Sequence, residues 1–213
     1  MINQLLNKET KTLVSLMHVN NETGVIQPIK EIAKLVHEKG AIFISDCTQS
    51  AGKIKVDVQD LGIDVLCMSA HKMYGPKGIG ALYLSKKLKR IPSQIHGGGQ
   101  EHTIRSGTLN VPGIIGLGKA CELANLEMVQ NETKIIELRD YLEFELLKIK
   151  DSKVNGSENQ RIFNTSNIFL PNVNANILID KLDNIAISNG SACSSEIIQP
   201  SHVLTSMGFS DEK

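Results

Sequence analysis

Ser69-Ala-His-Lys-Met-Tyr-Gly-Pro-Lys-Gly78 follows the apolar run Ile63–Met68 and precedes a second apolar run, Ile79–Leu84. Lys72 therefore stands at the end of an apolar segment among small residues, whereas an ordinary surface lysine lies on a polar face. This placement is expected of a lysine that forms a Schiff base, because such an amine must lose its proton near neutral pH. Partial burial or another nearby cation lowers the pKa of a lysine enough to allow this. The stretch predicts a strand that presents a nucleophilic amine at its carboxyl end.

The segments around this stretch alternate between predicted strands and helices. A helical pattern begins at Pro28 and stops at Lys39-Gly40, and the predicted strands are Leu13–Met17, Ala41–Ile44, Asp64–Met68 and Ile79–Leu84. Such alternation predicts an α/β sheet covered on both faces. Ligands of these sheets bind at the carboxyl ends of the strands. Seven polar residues follow such ends and predict one site: Asn20, Asn21, Asp46, Gln49, Ser69, His71 and Lys72.

The second half of the chain has a different pattern. Residues 112–150 are predicted to be helical, either as one helix or as two helices with a break near Asn131. A polar connection follows at 151–160. A strand over Ile162–Leu170, a helix over Ala175–Leu182 and a strand over Ile185–Ser188 then predict a small α+β domain. We therefore predict two domains, residues 1–125 and residues 126–213.

Composition excludes several classes of function. The 213 residues include 23 Lys and Arg against 23 Asp and Glu, and no basic stripe predicts binding to nucleic acid. No apolar run is long enough to span a bilayer, and no secretory pattern is present, so we expect a cytoplasmic protein. Cysteine spacing predicts no metal site. Cys47, Cys67 and Cys121 are expected to be inert core thiols, whereas Cys193 lies in a small, polar run that offers no core to fill.

Each candidate binding residue has a structural alternative. Asp46 either caps the following turn or holds a pyridine nitrogen protonated, and Gln49 is either a solvated turn residue or a contact to the same ring. The glycine-rich segment 96–108 is either a flexible loop or an anion-binding loop. A Walker loop is absent, and the glycine spacing at 75–80 is not that of a dinucleotide site.

Five segments form a more specific pattern when they are taken together. They are His18-Val-Asn-Asn-Glu-Thr-Gly24, Asp46-Cys-Thr-Gln-Ser-Ala-Gly52, Ser69-Ala-His-Lys-Met-Tyr-Gly-Pro-Lys-Gly-Ile-Gly80, Arg105-Ser-Gly-Thr-Leu109 and Gly190-Ser-Ala-Cys-Ser-Ser195. In this order they resemble the motifs of the cysteine desulfurases, pyridoxal 5'-phosphate (PLP) enzymes of the class V aminotransferase group. The resemblance covers residues 11–213. It implies the large domain of a PLP-dependent transferase of fold type I, with a mixed, mostly parallel sheet, followed by a small α+β domain, both incomplete.

The resemblance also implies a role for each candidate residue. Lys72 would form the Schiff base with PLP and move the Cα proton of L-cysteine, and Cys193 would take the sulfur as a persulfide and leave L-alanine. The residues that would bind the cofactor besides Lys72 are Asn21, Asp46, Gln49, Ser69, His71 and Thr108, the last reaching the phosphate of a neighbouring subunit. A homodimer and a sulfur-acceptor protein, for iron–sulfur cluster assembly or thio-modification, are implied partners. Residues 190–200 are expected to be mobile.

The resemblance leaves the activity of this chain open. Family members are about twice as long, and the histidine that stacks on the ring and the arginine that binds the substrate carboxylate have no counterpart here. We therefore expect an incomplete desulfurase with little turnover on its own. The alternatives are another class V enzyme, such as a selenocysteine lyase or an aminotransferase, or a non-catalytic sulfur-relay module.

Overall fold

The computed structural model describes residues 11–88, 91–189 and 201–209. Its strands are β1 (Leu13–Met17), β2 (Ile42–Asp46), β3 (Val65–Ser69), β4 (Gly80–Leu84), β5 (Lys153–Val154) and β6 (Ile168–Phe169). Its α-helices are α1 (Ile29–Glu38), α2 (Val111–Leu146), α3 (Ala175–Lys181) and α4 (His202–Ser206). Short 3₁₀ helices cover Ala70–Met73 and Glu101–Thr103. The chain divides into two compact units, Met1–Val19 with Ile26–Asn131, and Asn20–Val25 with Glu132–Lys213.

The first unit is built on a four-stranded mixed sheet in the order β1-β2-β3-β4. β1 and β2 pair in parallel from Leu13 opposite Ile42 to Met17 opposite Asp46, and β3 continues the parallel arrangement. β4 is antiparallel to β3 and places Gly80 opposite Ser69. The expected α/β class with a mostly parallel sheet is confirmed, and each predicted strand of this unit is present to within one or two residues.

Helix α1 covers one face of this sheet. It begins after Pro28, whose ring favours the first turn of a helix, and it ends at Lys39 before Gly40, which has a φ of 72°. Its apolar side buries Ile29 and Val36 against Phe43 and Leu66. The opposite face leaves large apolar side chains open, because Leu13 and Leu82 are each 56% exposed. The prediction of a sheet covered on both faces is therefore wrong for the described residues.

A second cluster of the first unit fixes the turn that carries Lys72. Ala70 and Met73 are buried together with Leu117 and Ala120 of α2. Because α2 has no glycine or proline after Gly118, it runs as one helix past Asn131, and the alternative with a break there is wrong. No helix among the described residues is both long and apolar enough to cross a membrane.

The second unit contains a short antiparallel pair, β5 with β6. Arg161 and Glu143 form a bidentate ion pair with N–O distances of 2.7 and 2.8 Å, and both are buried. The strand predicted over Ile162–Leu170 is reduced to Ile168–Phe169. Ile162 and Phe163 are instead buried in irregular backbone, where the N–H of Ile162 donates to the carbonyl of Gly24 at 2.9 Å.

Of the two remaining elements predicted for the second unit, the helix is confirmed and the strand is wrong. The helix expected from Ala175 is present, and the side chain of Asn174 caps its first turn. The strand expected over Ile185–Ser188 is absent, and Ile185 is 59% exposed. Apolar side chains favour a strand mainly when its surface is half buried, and Ile187 is also 45% exposed.

Candidate active site at the carboxyl end of the sheet

Two neighbouring parallel strands bring the first candidate residues to one edge of the sheet. Asp46 ends β2 and Ser69 ends β3, and the register places Asp46 opposite Cys67. The N–H of Cys47 donates to the carbonyl of Cys67 at 2.9 Å, so the two chains stay paired up to this edge. The carboxyl edge of such a sheet is where its ligands bind.

The structure shows the first of the two roles that its sequence position allowed for Asp46, that of ordering the following turn. Its Oδ1 accepts a hydrogen bond from the N–H of Thr48 at 2.8 Å, which orders the turn that follows β2. Its side chain nevertheless remains exposed at the sheet edge. The carboxylate thus keeps acceptor capacity for a group that approaches from this side.

The turn after β3 presents two polar side chains outward. Ala70 and Met73 anchor it in the core, and Tyr74 closes it with a left-handed φ of 63°. His71 and Lys72 are therefore exposed. The Oγ of Ser69 and the Nδ1 of His71 are 2.7 Å apart, so a hydroxyl and an imidazole lie together beside Lys72.

Of the two surroundings that the sequence allowed for Lys72, partial burial is not found, whereas a nearby cation is: a second lysine, Lys53, is itself buried. Lys53 is 8% exposed, and its Nζ donates to the backbone carbonyl of Gln49 at 3.0 Å. Burial, and secondarily the positive charge of Lys72, lower the pKa of Lys53 to about 8. The two ammonium groups are therefore close enough to repel each other, while the contact to Gln49 ties Lys53 to the turn that follows Asp46.

Sequence reasoning missed Lys53 because a single lysine in a glycine-containing turn predicts a surface residue. The sequence feature that indicates burial of Lys53 is the pair of small residues before it, Ala51-Gly52. Gly52 has a φ of 74°, and a Cβ there would meet the Cβ atoms of Ala124 and Met73 at 3.1 Å. The turn thus packs closely against its neighbours, and this close packing draws the following side chain inward.

Cys67 also lies beside the candidate site. Burial raises the pKa of its thiol, and the neighbouring carboxylate of Asp46 raises the pKa further. The thiol is therefore protonated at neutral pH and is a poor nucleophile. This agrees with the expectation of an inert thiol, although Cys67 lies at the sheet edge rather than in the centre of a core.

Thr108 belongs to the glycine-rich region of the first unit, and its side chain is exposed. The region is ordered by its own contacts, since the Oε1 of Gln100 accepts a hydrogen bond from the N–H of Gly107 at 3.2 Å. A cavity of about 550 Å³ opens nearby, lined by Pro92, Ser93, His96, Gly97, Gly98, Gly99 and Thr103. The interaction of Thr108 with a neighbouring subunit stays a prediction.

Two candidate residues do not belong to the described part of the first unit. Asn21 is exposed in the turn Asn20–Val25, which belongs to the second unit. In that turn the neighbouring Asn20 accepts hydrogen bonds through its Oδ1 from the N–H groups of Glu22 and Thr23. Cys193 and the segment 190–200 lie outside the described residues. Among the described residues, no group of three or more His, Cys, Asp or Glu side chains is arranged to hold a metal ion.

Comparison with known proteins identifies the family. The model of the aminotransferase class-V family matches residues 1–210. The chain belongs to the class V aminotransferase family. A cysteine desulfurase IscS from Anaeromyxobacter sp. (strain Fw109-5) is 46% identical over 207 residues, which are 96% of this chain and 51% of that protein. The chain thus spans about half the length of the curated relatives it matches.

Solved structures extend the likeness to the fold. The structure of a NifS-like protein from Rickettsia africae superposes with a TM-score of 0.88 at 37% identity, over 99% of this chain and 57% of that chain. The structure of SspA in complex with cysteine superposes with a TM-score of 0.78 at 34% identity, over 99% of this chain and 59% of that chain. The expected fold type I of PLP-dependent transferases, present here in part, is confirmed.

Proposed function

We propose that this class V chain carries the PLP-binding edge of a cysteine desulfurase, which converts L-cysteine to L-alanine and keeps the sulfur as a persulfide. The observation on which the proposal depends is the parallel pairing of β2 with β3. That pairing brings the turn Asp46–Gln49 beside Ser69, His71 and Lys72. Relatives named cysteine desulfurase IscS, and the structure of SspA in complex with cysteine, support the choice of substrate.

The donor groups at this edge fit PLP. An exposed carboxylate suits a protonated pyridine nitrogen, an exposed primary amine suits an aldehyde, and a hydroxyl with an imidazole suits a phosphate. When bound, PLP would supply an electron sink that weakens bonds at the substrate Cα. The exposed ammonium group of Lys72 adds positive charge beside the phosphate donors, which favours an anionic ligand.

We assign the roles of the sheet-edge residues as follows. Asp46 would hold the ring nitrogen in its protonated form, and Gln49 would donate a hydrogen bond to the ring oxygen. Ser69 and His71 would bind the phosphate. The Nζ of Lys72 would hold the cofactor aldehyde and would accept and return the proton of the substrate Cα, a role that suits an exposed and rotatable amine.

Asn21 and Thr108 complete the proposed site. Asn21 would contact the ring oxygen and the substrate carboxylate, and Thr108 would bind the phosphate of a neighbouring subunit in a homodimer. The side chain of Thr108 is exposed in the single chain, which leaves it accessible to such a neighbouring subunit. The domain limits 1–125 and 126–213, and a cytoplasmic location, also remain predictions.

Cys193 completes the reaction as the sulfur acceptor. Its thiolate bonds to the sulfur of the substrate while the Cβ–S bond of the substrate breaks. The electron pair of that bond stays with the carbon, which is protonated and leaves as part of alanine, and the sulfur remains on Cys193 as a persulfide. A second thiolate, on an acceptor protein, would then take this sulfur for iron–sulfur clusters or thio-modification.

Turnover by the chain alone is expected to be low. Orienting the reacting groups supplies roughly 7–11 kcal/mol of barrier reduction in well-ordered sites, and this chain spans about half the length of its curated relatives. We therefore propose that cofactor binding and turnover are separable here. Cofactor binding would depend on the described sheet edge alone, whereas turnover would need further residues.

The experiment measures both properties on the 213-residue chain. The chain is mixed with PLP and dialysed, and the retained yellow colour is compared among the wild type, Lys72→Ala and the control Lys77→Ala, which removes an exposed lysine of the same loop. We expect colour in the wild type and the control only. Equal colour in Lys72→Ala would refute the assignment of Lys72.

The same samples, supplied with L-cysteine, separate the alternative functions. Mass spectrometry of Cys193 is expected to find added sulfur, and Cys193→Ala to form no persulfide. Transamination that persists in Cys193→Ala, with the amino group transferred and the Cβ–S bond kept, would identify an aminotransferase. Alanine released from selenocysteine equally well without Cys193 would identify a selenocysteine lyase. A chain that retains no colour at all would be a non-catalytic module.

A further inference from the structure

We propose that Lys53 is a positioning residue for the cofactor site: its buried ammonium group fixes the carboxamide of Gln49 with the NH₂ group turned outward. This inference rests on the proposed function, which gives Gln49 a hydrogen bond to donate. Lys53 is one of the few charged side chains buried in the first unit, and no step of the proposed reaction uses it directly.

The geometry places one cation against two oxygens of the same residue. The Nζ of Lys53 lies 3.0 Å from the backbone oxygen of Gln49 and 3.5 Å from its Oε1. The first contact closes the turn between residues 49 and 53. The turn is further held by the N–H groups of Lys53 and Ile54, which both donate to the carbonyl of Ser50 at 3.0 Å. Gln49 therefore has a fixed backbone and a side chain that bends back toward the same ammonium group.

The charge of Lys53 selects one of the two orientations of the carboxamide. An amide group has an acceptor oxygen at one end and two N–H donors at the other. An ammonium group attracts the oxygen and repels the NH₂ group, and burial strengthens both effects because the local dielectric is low. With Oε1 held inward, Nε2 points away from Lys53. A phenolate oxygen, as on PLP, needs this donor.

The degree of protonation agrees with this role. The pKa of Lys53 is lowered to about 8 by burial and by the charge of Lys72, so the group remains mostly protonated at neutral pH. A purely structural Lys53 would need only the contact to the backbone carbonyl of Gln49. The two roles differ in what happens to the side chain of Gln49 when Lys53 is removed.

The first test needs no cofactor. The order parameter of the Gln49 side-chain N–H groups is measured by NMR in the wild-type chain, in Lys53→Met and in the control Lys55→Met, whose lysine is exposed. The Gln49 signal is assigned by its disappearance in Gln49→Glu. We expect the order parameter to fall below about 0.6 in Lys53→Met and to stay at the wild-type level in Lys55→Met. An ordered carboxamide in folded Lys53→Met would overturn the inference. If Lys53→Met does not fold, Lys53→Arg takes its place, and it must keep the carboxamide ordered.

The second test is a double-mutant cycle on the dissociation constant for PLP. We expect Lys53→Met to weaken PLP binding about 2- to 10-fold, because the variant keeps the donor of Gln49 and must only immobilise its side chain on binding. In the presence of Gln49→Ala we expect no further effect. Equal weakening in both backgrounds would mean that Lys53 does not act through Gln49, and would refute the inference. Absence of PLP binding by the wild type would refute the proposed function instead, and the NMR result would then decide on Lys53 alone.

Discussion

Replacing Gly80 by alanine should disturb the candidate site although Gly80 lies on another strand. Gly80 pairs with Ser69, and a Cβ at position 80 would lie 2.4 Å from the carbonyl oxygen of Met68. The two atoms must separate by about 0.6 Å to reach even 3.0 Å, below which real Cβ contacts essentially do not occur. Because the clashing atom belongs to the backbone, no side-chain rotation relieves it, and β3 and β4 must move apart where β3 ends.

The expected cost follows from this overlap. Overpacking of this kind lowers the free energy of unfolding by about 1–3 kcal/mol. The displacement also shifts the turn that carries Lys72, and a misplacement of about 1 Å can cost a hundredfold in a reaction. We therefore expect Gly80→Ala to be less stable than the wild type and to bind PLP at least severalfold more weakly.

The assay is urea unfolding followed by circular dichroism, together with the dissociation constant for PLP. The control is Gly118→Ala, because a Cβ at Gly118 would meet nothing within 4 Å and the residue lies inside α2. Alanine is the better helix former, so this control should gain about 0.5–1 kcal/mol. The reasoning fails if Gly80→Ala unfolds within about 0.5 kcal/mol of the wild type, the usual range of harmless surface substitutions.

Three further predictions concern buried charges. Glu143→Gln should lower the unfolding free energy by about 3–5 kcal/mol because it leaves Arg161 buried without its anion. Replacing both residues by Met should restore most of this loss. Equal urea midpoints for the wild type and Glu143→Gln would contradict this prediction. Asp64→Asn should lower the unfolding free energy by about 1–3 kcal/mol, because Oδ2 of Asp64 accepts a hydrogen bond from the N–H of Phe43 at 3.0 Å and lies 2.8 Å from His37 Nε2. A smaller loss of unfolding free energy would contradict this prediction. The pKa of Lys53 is about 8 in the folded chain against an ordinary value of 10.5, so the unfolded chain binds more protons between pH 8 and 10.5. The contribution of Lys53 to the unfolding free energy should therefore rise over this pH range and should vanish in Lys53→Met. An unchanged slope of unfolding free energy against pH in Lys53→Met would contradict this prediction.

The strands of the first unit could be predicted because each is a short apolar run that ends at a polar or glycine residue. The rule that ligands bind at the carboxyl ends of strands predicted a shared edge for Asp46 and Ser69, and these residues indeed end neighbouring strands. The shape of the second unit was harder. Ile162 and Phe163 are buried by an irregular segment, and apolar content alone does not distinguish such a segment from a strand.

The sequence predicted which residue types form the candidate site, but it did not predict which of their side chains are buried. Two lysines lie near each other, and the sequence indicated the wrong one as buried, because burial depends on how the turn at Gly52 packs against residues distant in sequence. The open face of the sheet was missed for a similar reason. Apolar residues such as Leu13 and Leu82 favour a strand wherever they stand, but the pattern does not show whether another layer covers them.

The most direct test of the account is to find where PLP attaches to this chain. The 213-residue chain is incubated with PLP and reduced with borohydride, and its peptides are then analysed by mass spectrometry. The account predicts the pyridoxyl mass on Lys72, and a clear reduction of its yield in Asp46→Asn. Attachment mainly to Lys53, Lys77 or other lysines, or equal yields with and without the Asp46 carboxylate, would contradict it.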